Sequence, residues 1–299
     1  MQNFNRKYIL RIGPAGKQGV EINSLHISFS FDKADTESNN SGKVTLWNLS
    51  PSTLAILDKK DCVVELKAGY QDGISLIFVG NVTDVVTQQD GSDTMTEFQV
   101  VDGRLAVRDT YISLSFNKLV KGITIVDSIS KKMGLTVRYS AKAKDTLLSK
   151  TLKKGFSFVG SGKNGLKKIC TLCKLKWSIQ NGILQISSPG EAISNRVYVL
   201  SAESGLLGIP KRVTISESNS EGKESNKTGY EITYFMNGNI GIADFVKLES
   251  KKVNGVYFVQ KINYTGDNME GEWTCTATIV EAKQSKKKET VKKAEVKKK

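Results

Sequence analysis

The chain has 299 residues, of which 39% are hydrophobic and one is histidine, with a formal net charge of +14. This length and apolar content can build two or more cored domains and exclude a wholly disordered chain. No 18-residue apolar run occurs, and the opening "MQNFNRKYILRIGPAGKQG" lacks the apolar core and cleavage site of a signal peptide; the expectation is a soluble protein made in the cytoplasm, with no membrane insertion.

From Leu25 to about Gly103 strand follows strand. "LHISFSF" alternates Leu25, Ile27, Phe29 and Phe31 against His26, Ser28 and Ser30, the period of a half-buried strand. "KVTLWNLS", "CVVELKAGY" and "ISLIFVGNVTDVV" follow, and Asp90 and Gly91 mark a hairpin turn into "TMTEFQVV". One helix is predicted here, in "SPSTLAILD", with Ser50 or Ser52 as N-cap. Residues 1–110 thus read as a compact antiparallel β domain, a barrel or sandwich closed by one short helix.

Residues 111–190 change character. "ITIVDSISKKMGLTV" sets Ile125, Ile129 and Met133 on one helical face, stops at Gly134 and resumes as a strand at Leu135–Val137. "NGLKKICTLCKLKWSI" places Leu166, Ile169, Cys170 and Cys173 at helical spacing, then alternates through Leu175, Trp177 and Ile179 to a hairpin turn at Asn181 and Gly182. Two helix-then-strand units in a small α/β domain are expected. Strands return over 191–282: Tyr230 to Met236, Phe245 to Leu248, a turn at Asn254 and Gly255, and "WTCTATIV". "SESNSEGKESNKTG" (Ser216 to Gly229) reads as a mobile loop. Residues 283–299, with nine lysines and two glutamates, carry half the net charge; they read as a disordered, solvated tail, while the other 282 residues carry +7 with acidic residues interspersed.

The motifs that suggest chemistry lack their partners. Gly160, Gly162 and Gly165 have G-x-G-x-x-G spacing, but no Asp or Glu lies between Asp145 and Glu191 to hold a ribose, and a phosphate loop would need glycine at Ser157 and Ser or Thr at Asn164. Cys170 and Cys173 form C-x-x-C with no second ligand pair, and together with Cys62 and Cys275 they read as reduced, buried thiols. His26, on the polar side of a strand, reads as a surface histidine, and Trp47, Trp177 and Trp273 read as core. The expectation is no catalytic, cofactor-binding or metal residues and no enzyme activity.

Several ordered stretches carry a likeness: "ISFSFDKADTESNNSGKVTLWNLSPST" with Asn48, Leu49 and Ser50; "VELKAGYQDGISLIFVGNVTDV" with Ala68, Gly69, Tyr70 and Phe78, Val79, Gly80; "FQVVDG" ending at Asp102 and Gly103; "GFSFVGSGKNGLKKICTLCKLKWSIQNGILQI"; and closing strands that include Tyr264, Gly266, Asp267 and Trp273. Over about residues 20–280 the chain resembles the baseplate hub proteins of contractile phage tails, the late control protein D type. The resemblance implies a mainly β fold with a small α/β insert, in which two tail-tube-like antiparallel β-barrel or sandwich domains flank a helix-strand domain. It implies a homotrimer with pseudo-sixfold symmetry, joining the hexameric tail tube or its initiator to the trimeric central spike, alongside wedge and tape measure proteins, in the virion baseplate. The competing readings are a cell-wall-binding or hydrolytic tail protein and a nucleic-acid-binding module working through the basic tail.

Overall fold

The computed structural model describes residues 5–71, 73–194, 196–218 and 224–282. The lysine-rich tail lies outside the described residues, as do 219–223 at the centre of the expected loop.

The first third is β1 (Arg6–Pro14), β2 (Val20–Ile22), β3 (Ile27–Ala34), β4 (Ser41–Trp47), α1 (Pro51–Leu57), β5 (Cys62–Tyr70), β6 (Gly73–Asp90) and β7 (Asp93–Val101). Alternation sets the faces: in β3, Ile27, Phe29 and Phe31 are buried between half-buried serines. Ser50 caps α1, accepting from the Thr53 amide, with Pro51 opening the helix where no intrahelical N–H is needed. The β6–β7 turn falls one residue later than expected, with Asp90 paired to Asp93 and Gly91 at φ 61° in the first central position.

A short helix, α2 (Arg104–Arg108), leads into the insert: β8 (Tyr111–Phe116), β9 (Val120–Lys121), α3 (Gly122–Lys132), β10 (Thr136–Tyr139), α4 (Ala141–Ser149), β11 (Thr151–Leu152), β12 (Phe156–Ser161), α5 (Gly162–Cys173), β13 (Lys176–Gln180) and β14 (Ile183–Ser187). Both expected helix-strand units are present. Helix α4 was not anticipated, because only Ala143 and Leu147 of its nine residues are buried and so narrow a stripe gives little periodic signal. Strand β12 pairs antiparallel with β8, so the glycine segment sits outside any strand-helix-strand crossover.

The last third is β15 (Val197–Ser201), β16 (Leu206–Ser218), β17 (Glu224–Phe235), β18 (Phe245–Glu249), β19 (Asn254–Asp267) and β20 (Trp273–Glu281). Two readings are corrected here. The polar stretch Ser216–Gly229 is mostly strand, with Ser218 paired to Glu224; ladder bonds are made by backbone, so a polar sequence can extend a hairpin. Asn254 and Gly255 lie in β19 already, and the turn is Ser250–Val253, closed where the Asn254 side chain accepts from the Ser250 amide.

The strands of the outer thirds form one 13-stranded sheet, joined where β3 pairs antiparallel with β19 from Ser28↔Asp267 to Ala34↔Lys261. The sheet curls enough that Phe31 of β3 stacks on Phe78 of β6, centroids 4.4 Å apart, although β4 and β7 separate their strands in the ladder. One apolar core therefore runs from Tyr8 through Val100 and on from Leu200 to Val280, and a second, from Ile112 to Ile186, fills the insert. At the joint, glycine makes room for rings: a Cβ on Gly266 would lie 2.3 Å from Phe29, which packs edge-on against Trp273.

Candidate interaction surfaces

Among the described residues, no three His, Cys, Asp or Glu side chains gather as a metal site. Cys170 and Cys173 lie on the buried face of α5 as free thiols, and burial pushes both up, away from the reactive thiolate. The three glycines serve packing. A Cβ on Gly162 would meet Met133 at 2.9 Å and one on Gly165 would meet Ile112 at 2.9 Å, while Ser161 caps α5 by accepting from the Asn164 amide. The carboxylates that burial raises hold turns: Asp244 accepts from the Ser194 hydroxyl and the Gly241 amide, and Asp102 from two amides described below. A cleft of about 380 Å³ beside β1 and β2 contains Glu21 and Glu65, both held by Arg11 at 2.9 and 3.4 Å.

His26 and Trp47 depart from expectation. The imidazole stacks on the Trp47 indole at 3.8 Å and lies 3.1 Å from an Asp267 oxygen, so it staples the first third to the last. Trp47 is half-buried rather than core, and its indole N–H donates to Asp90. Burial pushes the Asp267 carboxyl up, but the Glu270 and Met269 amides and His26 outweigh it, leaving Asp267 below the usual range.

The insert is locked to the sheet by a buried polar joint. Asn181 and Gly182, at φ 53° and 75°, make the tight β13–β14 turn, and the Asp102 carboxylate accepts from both amides at 2.5 and 2.8 Å. Lys33 donates to the Ile77 carbonyl at 3.0 Å and to the Asn181 side chain at 2.8 Å. Its burial lowers its pKa to about 8, with the Asp102 charge opposing the shift. Asn40 donates to the Ile179 carbonyl and the Gln180 side chain, while Gln180 donates back to the Ala34 carbonyl. Sequence reading found the turn and "VVDG" separately; that they meet was invisible, because Lys33 sits at an inward position of an otherwise apolar strand.

The large sheet contains one pattern twice. In the first third, the order β3-β4-β7-β6-β5 has every neighbouring pair antiparallel; in the last third, β16-β17-β20-β19-β18 repeats that order and sense. The long strands β6 and β19 correspond, each paired on one side with a shorter strand over its first half and each bulged, between Val82 and Val85 and between Val259 and Lys261. The second half of β19 takes β3 as its further neighbour. Its counterpart in β6, from Val85 to Asp90, pairs only with β7, and β16, the counterpart of β3, pairs only with β17. Each edge exposes a large apolar side chain, Val86 at 57% and Ile209 at 63%.

Charge is divided unevenly, contrary to the interspersed excess expected. Residues 111–190 hold fifteen Lys and Arg against two Asp, a net of +13, whereas 1–110 and 191–282 each carry −3. Among the described residues, only Lys176 of those fifteen pairs with a carboxylate, that of Asp35 at 3.7 Å. A count of charge by segment would have found this; a single total over 282 residues averaged it away.

No helix among the described residues is long and apolar enough to cross a membrane. No curated protein matches the chain. Its fold is similar to that of the 43 kDa tail protein of prophage MuSo2 from Shewanella oneidensis, with a TM-score of 0.63 at 11% identity, covering 93% of this chain and 99% of that one. It is also similar to a tail protein from Neisseria meningitidis MC58, with a TM-score of 0.60 at 10% identity over 93% and 97% of the two chains. A third similar structure is the E. coli c3393 protein, a type VI secretion component, with a TM-score of 0.57 at 8% identity over 90% and 76%. The family model described as "Baseplate hub gp41" matches residues 41–279, and the mainly β fold with its α/β insert agrees with it: the chain belongs to this family of phage baseplate structural proteins.

Proposed function

We propose that the chain is the hub of a phage tail baseplate and closes as a homotrimer, presenting six copies of one five-stranded sheet around an axis. The observation that carries this reading is the repeated sheet with one filled and one open joint. Within a chain, β3 adds to the second half of β19. Between chains, β16 of one subunit adds to the second half of β6 of the next; in the register that β3 takes on β19, Asp90 then comes opposite Lys211, both exposed. Backbone ladder bonds supply the affinity, and this charge pair favours the register in which the edges meet. A head-to-tail contact of this kind either closes or grows without limit, and three subunits with two sheets each close at six.

Such a ring matches a hexameric tail tube, or its initiator, on one side and a trimeric spike on the other, within a baseplate of wedge proteins threaded by the tape measure. The role is mechanical and the reading assigns no catalysis. The carboxylates raised by burial are committed to turns and Glu21 and Glu65 of the cleft to Arg11, which speaks against these four as the acid-base pair of a cell-wall hydrolase.

Mass in solution tests the ring. A trimer is expected alone or on mixing with spike protein; a chain that stays monomeric in both cases refutes it. Lys211→Glu should weaken association about tenfold, the effect of about 1.4 kcal/mol, and adding Asp90→Lys should recover it.

A further inference from the structure

The net +13 of the insert comes to a focus where two short segments meet. "NKLVKG" (Asn117 to Gly122) and "KTLKKG" (Lys150 to Gly155) form the two-stranded ribbon β9–β11, with Lys121 opposite Thr151 and Val120 opposite Leu152. Lys118, Lys121, Lys150, Lys153 and Lys154 are all exposed, no carboxylate lies in either segment, and Leu119 stands at the tip, 69% exposed. Five like charges on so small a ribbon repel one another and are held there by the fold, so the ribbon gains whenever a dense anion neutralises them.

We propose that this ribbon is a sequence-independent docking surface for the phosphate backbone of double-stranded nucleic acid. The choice among anions follows from the residue types. Fourteen of the insert's fifteen basic side chains are lysine, a flexible point charge suited to phosphates; reading base edges or gripping a peptide carboxylate would favour arginine's planar fork. The ribbon offers only Leu119 as an apolar anchor, too little for a protein interface core. A second copy of the chain is a sparse source of anions: its outer thirds each carry a net charge of only −3, and Glu97, Glu249, Asp32, Glu21 and Glu65 already pair within the chain. This surface is independent of the ring proposed above and of the tail at 283–299.

The test is binding of the full chain to a labelled DNA duplex of arbitrary sequence between 50 and 200 mM salt. Replacing the five ribbon lysines with Gln should reduce the slope of log affinity against log salt by about 4 to 5, at roughly 0.9 per phosphate contact, while the five Lys→Arg replacements should retain it. A second full-length variant carries Gln at the nine tail lysines; it should keep the ribbon's share of the slope. The proposal is overturned if the chain does not bind the duplex at 50 mM salt, if the ribbon variant binds with the unaltered slope, if the Lys→Arg chain loses binding, or if poly-glutamate displaces the duplex at equal charge concentration.

Discussion

The two five-stranded sheets share an order and differ in what their edges meet. In the first, β5 is covered by β1 and the second half of β6 is open; in the second, β18 is covered by the parallel β15 and the second half of β19 is filled by β3. The insert adds a further asymmetry, since Asp102 at the exit of the first sheet grips its hairpin, whereas the last third reaches that joint through the Tyr264 ring, 5.8 Å from the Lys33 ammonium. A repeat within one chain can therefore be specialised at its edges while its core pattern stays the same. The edges decide which strand each copy pairs with inside the chain.

The largest expected way to break that asymmetry is Asp102→Ala. It strips the acceptor from two turn amides and leaves buried Lys33 without the charge that favours its protonated form, a loss of about 3 kcal/mol measurable by urea unfolding. The variant also carries a pH signature. A lysine whose folded pKa is lowered costs stability fully below that value, and the cost fades as pH rises toward the unfolded value. In the unaltered chain the fading runs from about pH 8 to 10.5, and in Asp102→Ala it should begin lower. If the two curves are parallel, Lys33 does not sense Asp102.

Next comes the joint between the sheets. Gly266→Val should cost about 1–3 kcal/mol through overpacking, because its Cβ would lie 2.3 Å from Phe29 and 2.8 Å from Trp273. The loss should appear as a lower thermal midpoint with the insert's helical signal retained below it; an unaltered midpoint would mean that β3 and β19 slide apart at no cost.

The smallest effect is expected at the staple. His26→Ala removes a ring stack and a bond to Asp267, about 1 kcal/mol at pH 7. Asp267 sits below its ordinary value, so its contribution is present above that value and is lost as pH falls through the folded one. With one donor gone, acid should cost the variant less than it costs the unaltered chain.

Much of this architecture was legible in sequence, for reasons that differ by element. Strand β3 announced itself because its serines and aromatics alternate, and α5 because Leu166, Ile169, Cys170 and Cys173 leave one buried stripe. The Asn181–Gly182 turn was legible because few residues accept positive φ twice in succession. Long-range pairing was not legible. Nothing local in Phe31 names Tyr264 as its partner, and neither Lys33 nor Asp102 shows in sequence that its charge is buried. The features behind the two proposed surfaces were missed for opposite reasons: the open edges depend on topology, whereas the basic ribbon was written in "NKLVKG" and "KTLKKG" and lost in a sum.

The β3–β19 ladder sets an order on the birth of the molecule. Ala34 pairs with Lys261, so a chain growing from its N-terminus must extend through the whole insert before β3 receives its second neighbour. The insert, whose ladders and helices close over shorter separations, can finish while that edge still waits, and the waiting edge is the one at risk of pairing with the wrong chain. Lys33 and Asp32 near its end place charge on the waiting strand, a guard against premature partners until β19 arrives.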